Sequence, residues 1–132
     1  MNPIKAIYCR AVQAVLRAAL PVLPYVLESY GPCIHRKLHE LGMAAGVCTA
    51  EQSDGDAAAA FIQAIRNLNT RMNIPAHLEG IRETDIPVMA AHAEKEANPL
   101  YPVPRPMTRE ELEGFYRQVA AAKEVRHGKQ AS

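Results

Sequence analysis

Two histidines, His35 and His39, stand four residues apart, and on a helix this spacing places both imidazoles on one face. Helical zinc sites use the same spacing. The segment His-Arg-Lys-Leu-His-Glu lacks the glutamate that zinc proteases place directly after the first histidine, and it is rich in charge. We therefore favour a solvated or ion-paired helix face and keep His35 and His39 as an alternative metal site.

The other reactive side chains stand singly. Cys33 follows Pro32 at a predicted helix start, where the helix dipole would favour a reactive thiol. A small, partly buried apolar residue is the simpler interpretation of this cysteine. His77 and His92 are isolated in the sequence, and we expect helix-terminal or surface roles for them.

Glycine and serine patterns add no chemistry. The seven glycines are isolated and none follows a predicted strand, so the sequence shows no loop that would cradle a phosphate or a dinucleotide. No spacing of serine, histidine and aspartate indicates a catalytic triad. The residue patterns therefore predict no catalytic and no cofactor-binding residue.

Composition limits the class of protein. A chain of 132 residues with 48% hydrophobic residues can bury the core of one domain, spanning 1–132. Its 15 basic and 14 acidic residues are intermixed, which argues against nucleic acid and anionic membranes as partners. Three scattered cysteines, charged residues near the N-terminus and the lack of a long apolar run indicate a cytoplasmic protein.

Strand signals are nearly absent, because aromatic residues make up only 5% of the chain and no β-branched run alternates in polarity. Apolar residues recur at three- and four-residue steps instead. This pattern predicts an all-α fold, an irregular bundle of five or six helices. The predicted helices cover residues 3–20, 25–30, 32–42, 56–72 and 85–97, with a last one beginning at 108.

Proline, glycine and capping residues set the predicted boundaries. Pro21 and Pro24 are expected to interrupt the first helix, because proline lacks an amide donor and clashes with the preceding turn. Gly42 is expected to be the C-terminal cap of its helix. The predicted N-terminal caps are Asp54 or Asp56, Thr84, and Thr108, which forms a capping box with Glu111.

Residues 98–106 are rich in proline and predict an extended, polyproline-like strap across the last two helices. The prolines are Pro99, Pro102, Pro104 and Pro106.

Several short pieces between residues 62 and 121 have a specific order and spacing. They are Asn73-Ile74-Pro75, Leu78, Glu83-Thr84-Asp85-Ile86-Pro87, Ala90 to Ala97, Asn98-Pro99, Pro104-Arg105-Pro106 and Thr108-Arg109-Glu110-Glu111-Leu112. Together they resemble the C-terminal helical domain of the iron-containing alcohol dehydrogenase family, a dehydroquinate synthase-like fold. Upstream, Leu23 to Glu28 is similar to the family's LPHVL segment, and Arg36 to Val47 to the helix before its connector. Residues 1–11 are not placed.

The resemblance implies iron or zinc and NAD(P) for a complete enzyme of the family. In the matching segment, Tyr25 stands where the family has a histidine. The resemblance implies that this histidine is one of the family's metal ligands. The family's other ligands and its glycine-rich cofactor domain have no counterpart in this sequence. We therefore expect a truncated or remnant domain that has no activity or cofactor of its own and acts as a structural or interaction module. The alternative is the helical half of a split, metal- and NAD(P)-dependent alcohol dehydrogenase whose cofactor domain is a separate chain.

The first thirty residues carry a long apolar stripe. Its members are Ile4, Ile7, Tyr8, Val12, Val15 and Leu16. A domain that lacks the family's upstream half has to cover such a stripe, so we expect a symmetric homodimer through the N-terminal helix.

Overall fold

The computed structural model describes residues 19–100 and 103–120, without the side chains of residues 98–100. Helix α1 occupies residues 19–30 and is followed by a 3-10 helix, Gly31–Ile34. The remaining helices are α2 (His35–Ala44), α3 (Asp54–Arg71), α4 (Ile86–Leu100) and α5 (Arg109–Val119). Apart from a parallel bridge between Leu78 and Ala120, the described residues form no strand pairing. The predicted all-α class is confirmed.

The helices form two packed pairs, each with its own apolar cluster. Helix α2 packs on α3, and α4 packs on α5. The first cluster contains Ile34, Leu38, Ala58 and Ile62; the second contains Ile81, Ile86, Val119 and Ala120. Helix α1 joins the pairs, since Leu27 and Tyr30 contact the first cluster and Tyr25 contacts the second.

Helix α1 continues through Pro21 and Pro24, so the predicted interruption and the separate helix at 25–30 are wrong. Pro24 has no amide hydrogen to donate to the carbonyl of Leu20, four residues earlier. The buried side chain of Asn69, on α3, donates to that carbonyl instead, over 2.9 Å. Because α3 supplies the missing donor, the helix tolerates the proline.

Gly42 is not the C-terminal cap of α2, because the helix runs on to Ala44 and its C-cap residue is Ala45. The left-handed backbone belongs to Gly46, with φ of 71°. Gly42 is buried, and a Cβ there would lie 2.6 Å from the Cys48 sulfur. This glycine therefore serves close packing of the connector against α2.

The cap of α3 is Ser53, and the prediction of Asp54 or Asp56 is wrong. The Ser53 hydroxyl accepts a hydrogen bond from the Asp56 amide over 3.1 Å. Both aspartates lie in the first helical turn, where their charge complements the helix dipole. Asp54 is then free to bond with His39 on α2.

Of the two remaining predicted N-terminal caps, Thr84 is wrong and Thr108 is confirmed. Before α4, the carbonyl of Asp85 accepts the amide of Met89 over 2.9 Å, so Asp85 holds the cap position predicted for Thr84. Before α5, the predicted capping box is confirmed: the Thr108 hydroxyl accepts from the Glu111 amide, and the Glu111 carboxylate accepts from the Thr108 amide.

The prediction that the proline-rich strap begins at residue 98 is wrong, because α4 extends to Leu100 and includes residues 98–100. Residues 103–108 are not helical, and there Arg105 donates to the Ser29 carbonyl over 3.1 Å and to the Glu111 carboxylate over 3.0 Å. The apolar stripe from Ile4 to Leu16 lies outside the described residues.

Candidate functional site

Tyr25, the α1 residue singled out by the resemblance, has both its hydroxyl and its ring in internal contacts. The hydroxyl donates to the Ala76 carbonyl over 3.0 Å. The ring centroid lies 6.1 Å from that of His77 and 5.5 Å from the guanidinium carbon of Arg66. The arginine contact has cation–π geometry. Tyr25 thereby ties the loop after α3 to α1.

Arg66 and Glu28 form a two-pronged ion pair between α3 and α1. The Nη1–Oε1 and Nη2–Oε2 distances are 2.6 and 2.8 Å. The hydrogen bond to Arg66 is the main reason why the pKa of Glu28 is lowered, against a smaller opposing effect of burial. The same bond raises the pKa of Arg66. A planar, two-pronged pair of this kind fixes the relative orientation of the two side chains and also contributes energy.

A groove of about 260 Å³ lies between α1, α3 and the loop at Ile74 and Ala76. Its polar lining consists mainly of neutral amides and hydroxyls, and one of these amides, Gln63, donates to Asn67 over 2.9 Å. Its residues are Pro21, Pro24, Tyr25, Gln63, Arg66, Asn67, Asn69, Thr70, Ile74 and Ala76. The charged Arg66 is already paired with Glu28, so the groove suits a neutral group better than an ion.

His39 is buried, with 8% of its surface exposed, and both of its ring nitrogens are bonded. Nδ1 lies 2.7 Å from the Asp54 carboxylate, and Nε2 lies 2.9 Å from the Thr49 carbonyl. The Asp54 bond, followed by the Thr49 bond, raises the pKa of His39. His35 is half-buried beside Gly55. The structure therefore places His39 in a buried hydrogen-bonded pair with Asp54 that connects α2 to α3.

The cysteines of the described residues, Cys33 and Cys48, are not in a disulfide, and both thiols donate to backbone carbonyls. Cys33 is exposed and its thiol donates to the Tyr30 carbonyl over 2.9 Å. Cys48 is half-buried and donates to the carbonyl of His39 over 3.5 Å. Of the single histidines, His77 lies against Tyr25, whereas His92 is exposed on α4.

The side chains around Tyr25 and His39 do not make up a set of metal ligands. Within residues 19–100 and 103–120, no group of three or more histidine, cysteine, aspartate or glutamate side chains could hold a metal ion. His39 has no ring nitrogen left to bind one, and the Tyr25 hydroxyl is engaged as a donor.

The helices of the described part include none that is long and apolar enough to cross a membrane.

Sequence patterns did not single out the Asn69 contact. The available signal was a polar residue in line with apolar positions of α3, seven residues after the buried Ile62. A buried asparagine at such a position needs a hydrogen-bond partner, here the carbonyl of Leu20.

Comparison with known proteins identifies the family. Residues 16–120 match the family described as Fe-containing alcohol dehydrogenase family, C-terminal. A search of curated proteins gives no match. The match covers most of the chain and includes every helix of the described part. The chain therefore belongs to the Fe-containing alcohol dehydrogenase family, as a representative of its C-terminal domain.

Proposed function

We propose that this chain is a non-catalytic helical module of the family, truncated or remnant in character, which acts by associating with another polypeptide. The observation that supports this most directly is the bonding of Tyr25. Its hydroxyl, the group that would have to face a metal or a substrate, donates to the Ala76 carbonyl, and its ring lies against Arg66 and His77. The residue is a structural tie between α1 and the loop after α3.

Exposed apolar side chains support association as the mode of action. Leu68 and Met72, one turn apart at the end of α3, are 49% and 57% exposed. Leu23, on α1, is exposed as well. Contiguous exposed apolar groups commonly mark an interface, and Leu68 and Met72 are spaced to lie on one helix face. We propose a symmetric homodimer in which the segment from Met1 to Tyr30 forms much of the contact.

The alternative function is the helical half of a split alcohol dehydrogenase. Family membership favours it, because the family is described as Fe-containing alcohol dehydrogenases. We propose NAD(P) as the cofactor of the complete enzyme. Hydride transfer requires a bound cofactor held against the substrate, and the metal would polarise that substrate. In this case a separate chain supplies the glycine-rich cofactor domain, and the described residues supply a docking surface for it.

Metal analysis and calorimetry on the purified chain test the non-catalytic proposal. We expect no stoichiometric iron or zinc and no measurable affinity for NAD or NADP. Finding about one metal per chain that disappears in the His35→Gln, His39→Gln double variant would contradict the proposal. Micromolar binding of a nicotinamide cofactor would contradict it too. The His77→Gln, His92→Gln double variant is the matched control, because it removes two histidines outside α2.

A further inference from the structure

We propose that His39 is a doubly protonated imidazolium that pins the α2–α3 connector, residues 45–53, and that loss of its proton releases the connector. The proposal concerns a pH-sensitive device within the fold and does not depend on the proposed function. It rests on the two bonds of the imidazole ring, which join three successive parts of the chain.

The two hydrogen-bond partners of His39 can only accept. One is the Asp54 carboxylate, 2.7 Å from Nδ1, and the other is the backbone carbonyl of Thr49, 2.9 Å from Nε2. A neutral imidazole carries one N–H and could satisfy only one of them. Both bonds can exist together only when both nitrogens carry hydrogen, so the geometry requires the charged ring.

The position of His39 gives these bonds a mechanical effect. The residue lies on α2, Thr49 lies in the middle of the connector, and Asp54 is the first residue of α3. Near its start, the connector is bonded to α2, because the Val47 amide donates to the Gly42 carbonyl over 2.9 Å. From Thr49 onward it turns locally, with the Thr49 amide bonded to the Gln52 side chain over 2.8 Å. The imidazolium therefore connects this local turn to both helices.

The charges around His39 favour its protonated form. Besides Asp54, Glu40 on α2 attracts the positive ring, although Glu40 is shared with Arg36. In the connector, Glu51 is kept ionised because hydrogen bonds from its own amide and from the Thr49 hydroxyl lower its pKa. The packed elements also carry Asp56 in the first turn of α3, His35 beside Gly55, and the Cys48 thiol bonded to the His39 carbonyl. Besides Arg36, their cations are Lys37 on α2 and, further along α3, Arg66 and Arg71.

The direction of the pH effect follows from these contacts. The bonds to Asp54 and Thr49 raise the pKa of His39 above the ordinary value of about 6.5, with burial opposing them. A raised pKa in the folded state means that the stabilisation is complete below the ordinary pKa and is lost as pH rises through the raised value. The connector is therefore pinned below the ordinary pKa and released as pH rises through the raised pKa of His39.

Nuclear magnetic resonance on the full chain tests the proposal. Long-range proton–nitrogen spectra should show both ring nitrogens of His39 protonated at about pH 6, and one proton lost as pH rises. Amide exchange of residues 45–53, corrected for its intrinsic pH dependence, should accelerate over the same range, while amides of α5 should not. Each tenfold acceleration of amide exchange corresponds to a difference of about one unit between the pKa of His39 with the connector pinned and its pKa with the connector released.

Variants separate the ring charge from general stability. His39→Gln should remove the pH dependence of connector exchange, and Asp54→Asn should lower the pKa of His39 while keeping an acceptor oxygen. His92→Gln, on the exposed face of α4, is the control and should change neither. A neutral His39 tautomer at about pH 6, or connector exchange that is independent of the His39 titration, would overturn the proposal. If His39→Gln does not fold, these two measurements on the unmutated chain decide.

Discussion

Each helix pair of this domain has an apolar cluster, but the two pairs differ in the polar groups that they bury. The α2–α3 pair contains both of the buried polar side chains found in the described residues, His39 and Asn69. The α4–α5 pair buries apolar groups, with Ile86 0% and Val119 1% exposed. Its charged contacts lie at the surface, where arginines pair with carboxylates.

This difference means that the two pairs respond to different conditions. A histidine changes charge near neutral pH, whereas arginine stays charged, so the α2–α3 pair is the pH-sensitive half. Surface arginine–carboxylate pairs contribute about 0–1 kcal/mol each and are screened by salt. Apolar burial therefore stabilises both pairs, and the α2–α3 pair adds the buried hydrogen bonds of His39 and Asn69.

The largest effect is expected in the apolar core of the α4–α5 pair. Ile86→Ala should lower the free energy of unfolding by about 2–5 kcal/mol, because it leaves a cavity in a fully buried site. Val88→Ala is the control, since Val88 lies two residues further along α4 and is 60% exposed. Urea unfolding measures both. Equal losses in the two variants would show that this cluster is not the main source of stability.

Next in size is the loss of the Asn69 bond. Asn69→Ala should cost about 1–3 kcal/mol, because the Leu20 carbonyl is left without its donor. The loss should shrink in a Pro24→Ala background, where residue 24 regains an amide that can bond to the same carbonyl. A double-mutant cycle of urea unfolding measures this coupling. Additive effects would mean that Asn69 does not replace the missing proline amide.

Gly42→Ala should have a smaller net effect. Overpacking costs about 1–3 kcal/mol, and the better helix propensity of alanine offsets about 1 kcal/mol of it. The added Cβ would lie 2.6 Å from the Cys48 sulfur, so Cys48→Ala should relieve most of the loss. Gly114→Ala is the control in α5, because nothing lies within 4 Å of a Cβ there. Thermal unfolding should show a lower midpoint for Gly42→Ala alone and a higher one for Gly114→Ala. A raised midpoint for Gly42→Ala would contradict the close contact.

Sequence reasoning succeeded where the determining contacts are local. The capping box of α5 involves residues three apart, Thr108 and Glu111, and it was predicted correctly. It failed at Pro24 because the compensating donor, Asn69, comes from a distant helix. It failed at Gly42 because the constraint is the Cys48 sulfur beyond the helix end.

The His39 site was predicted only in part, for a related reason. The helical position of His39 is readable from the sequence, and a solvated or ion-paired helix face was expected. One of its two partners is a backbone carbonyl, that of Thr49, which any residue could supply. Such a contact has no signature in residue type, so only the folded connector reveals it.

Light scattering of the purified chain tests the central claim, action through association, most directly. At high micromolar concentration we expect a dimer, with an interface of roughly 800 Å² per partner. Val12→Glu combined with Leu16→Glu places charge in the apolar stripe and should give a monomer or an aggregate, whereas Gln13→Glu, in the same segment, should leave the dimer intact. A monomer for the unmutated chain would contradict the account.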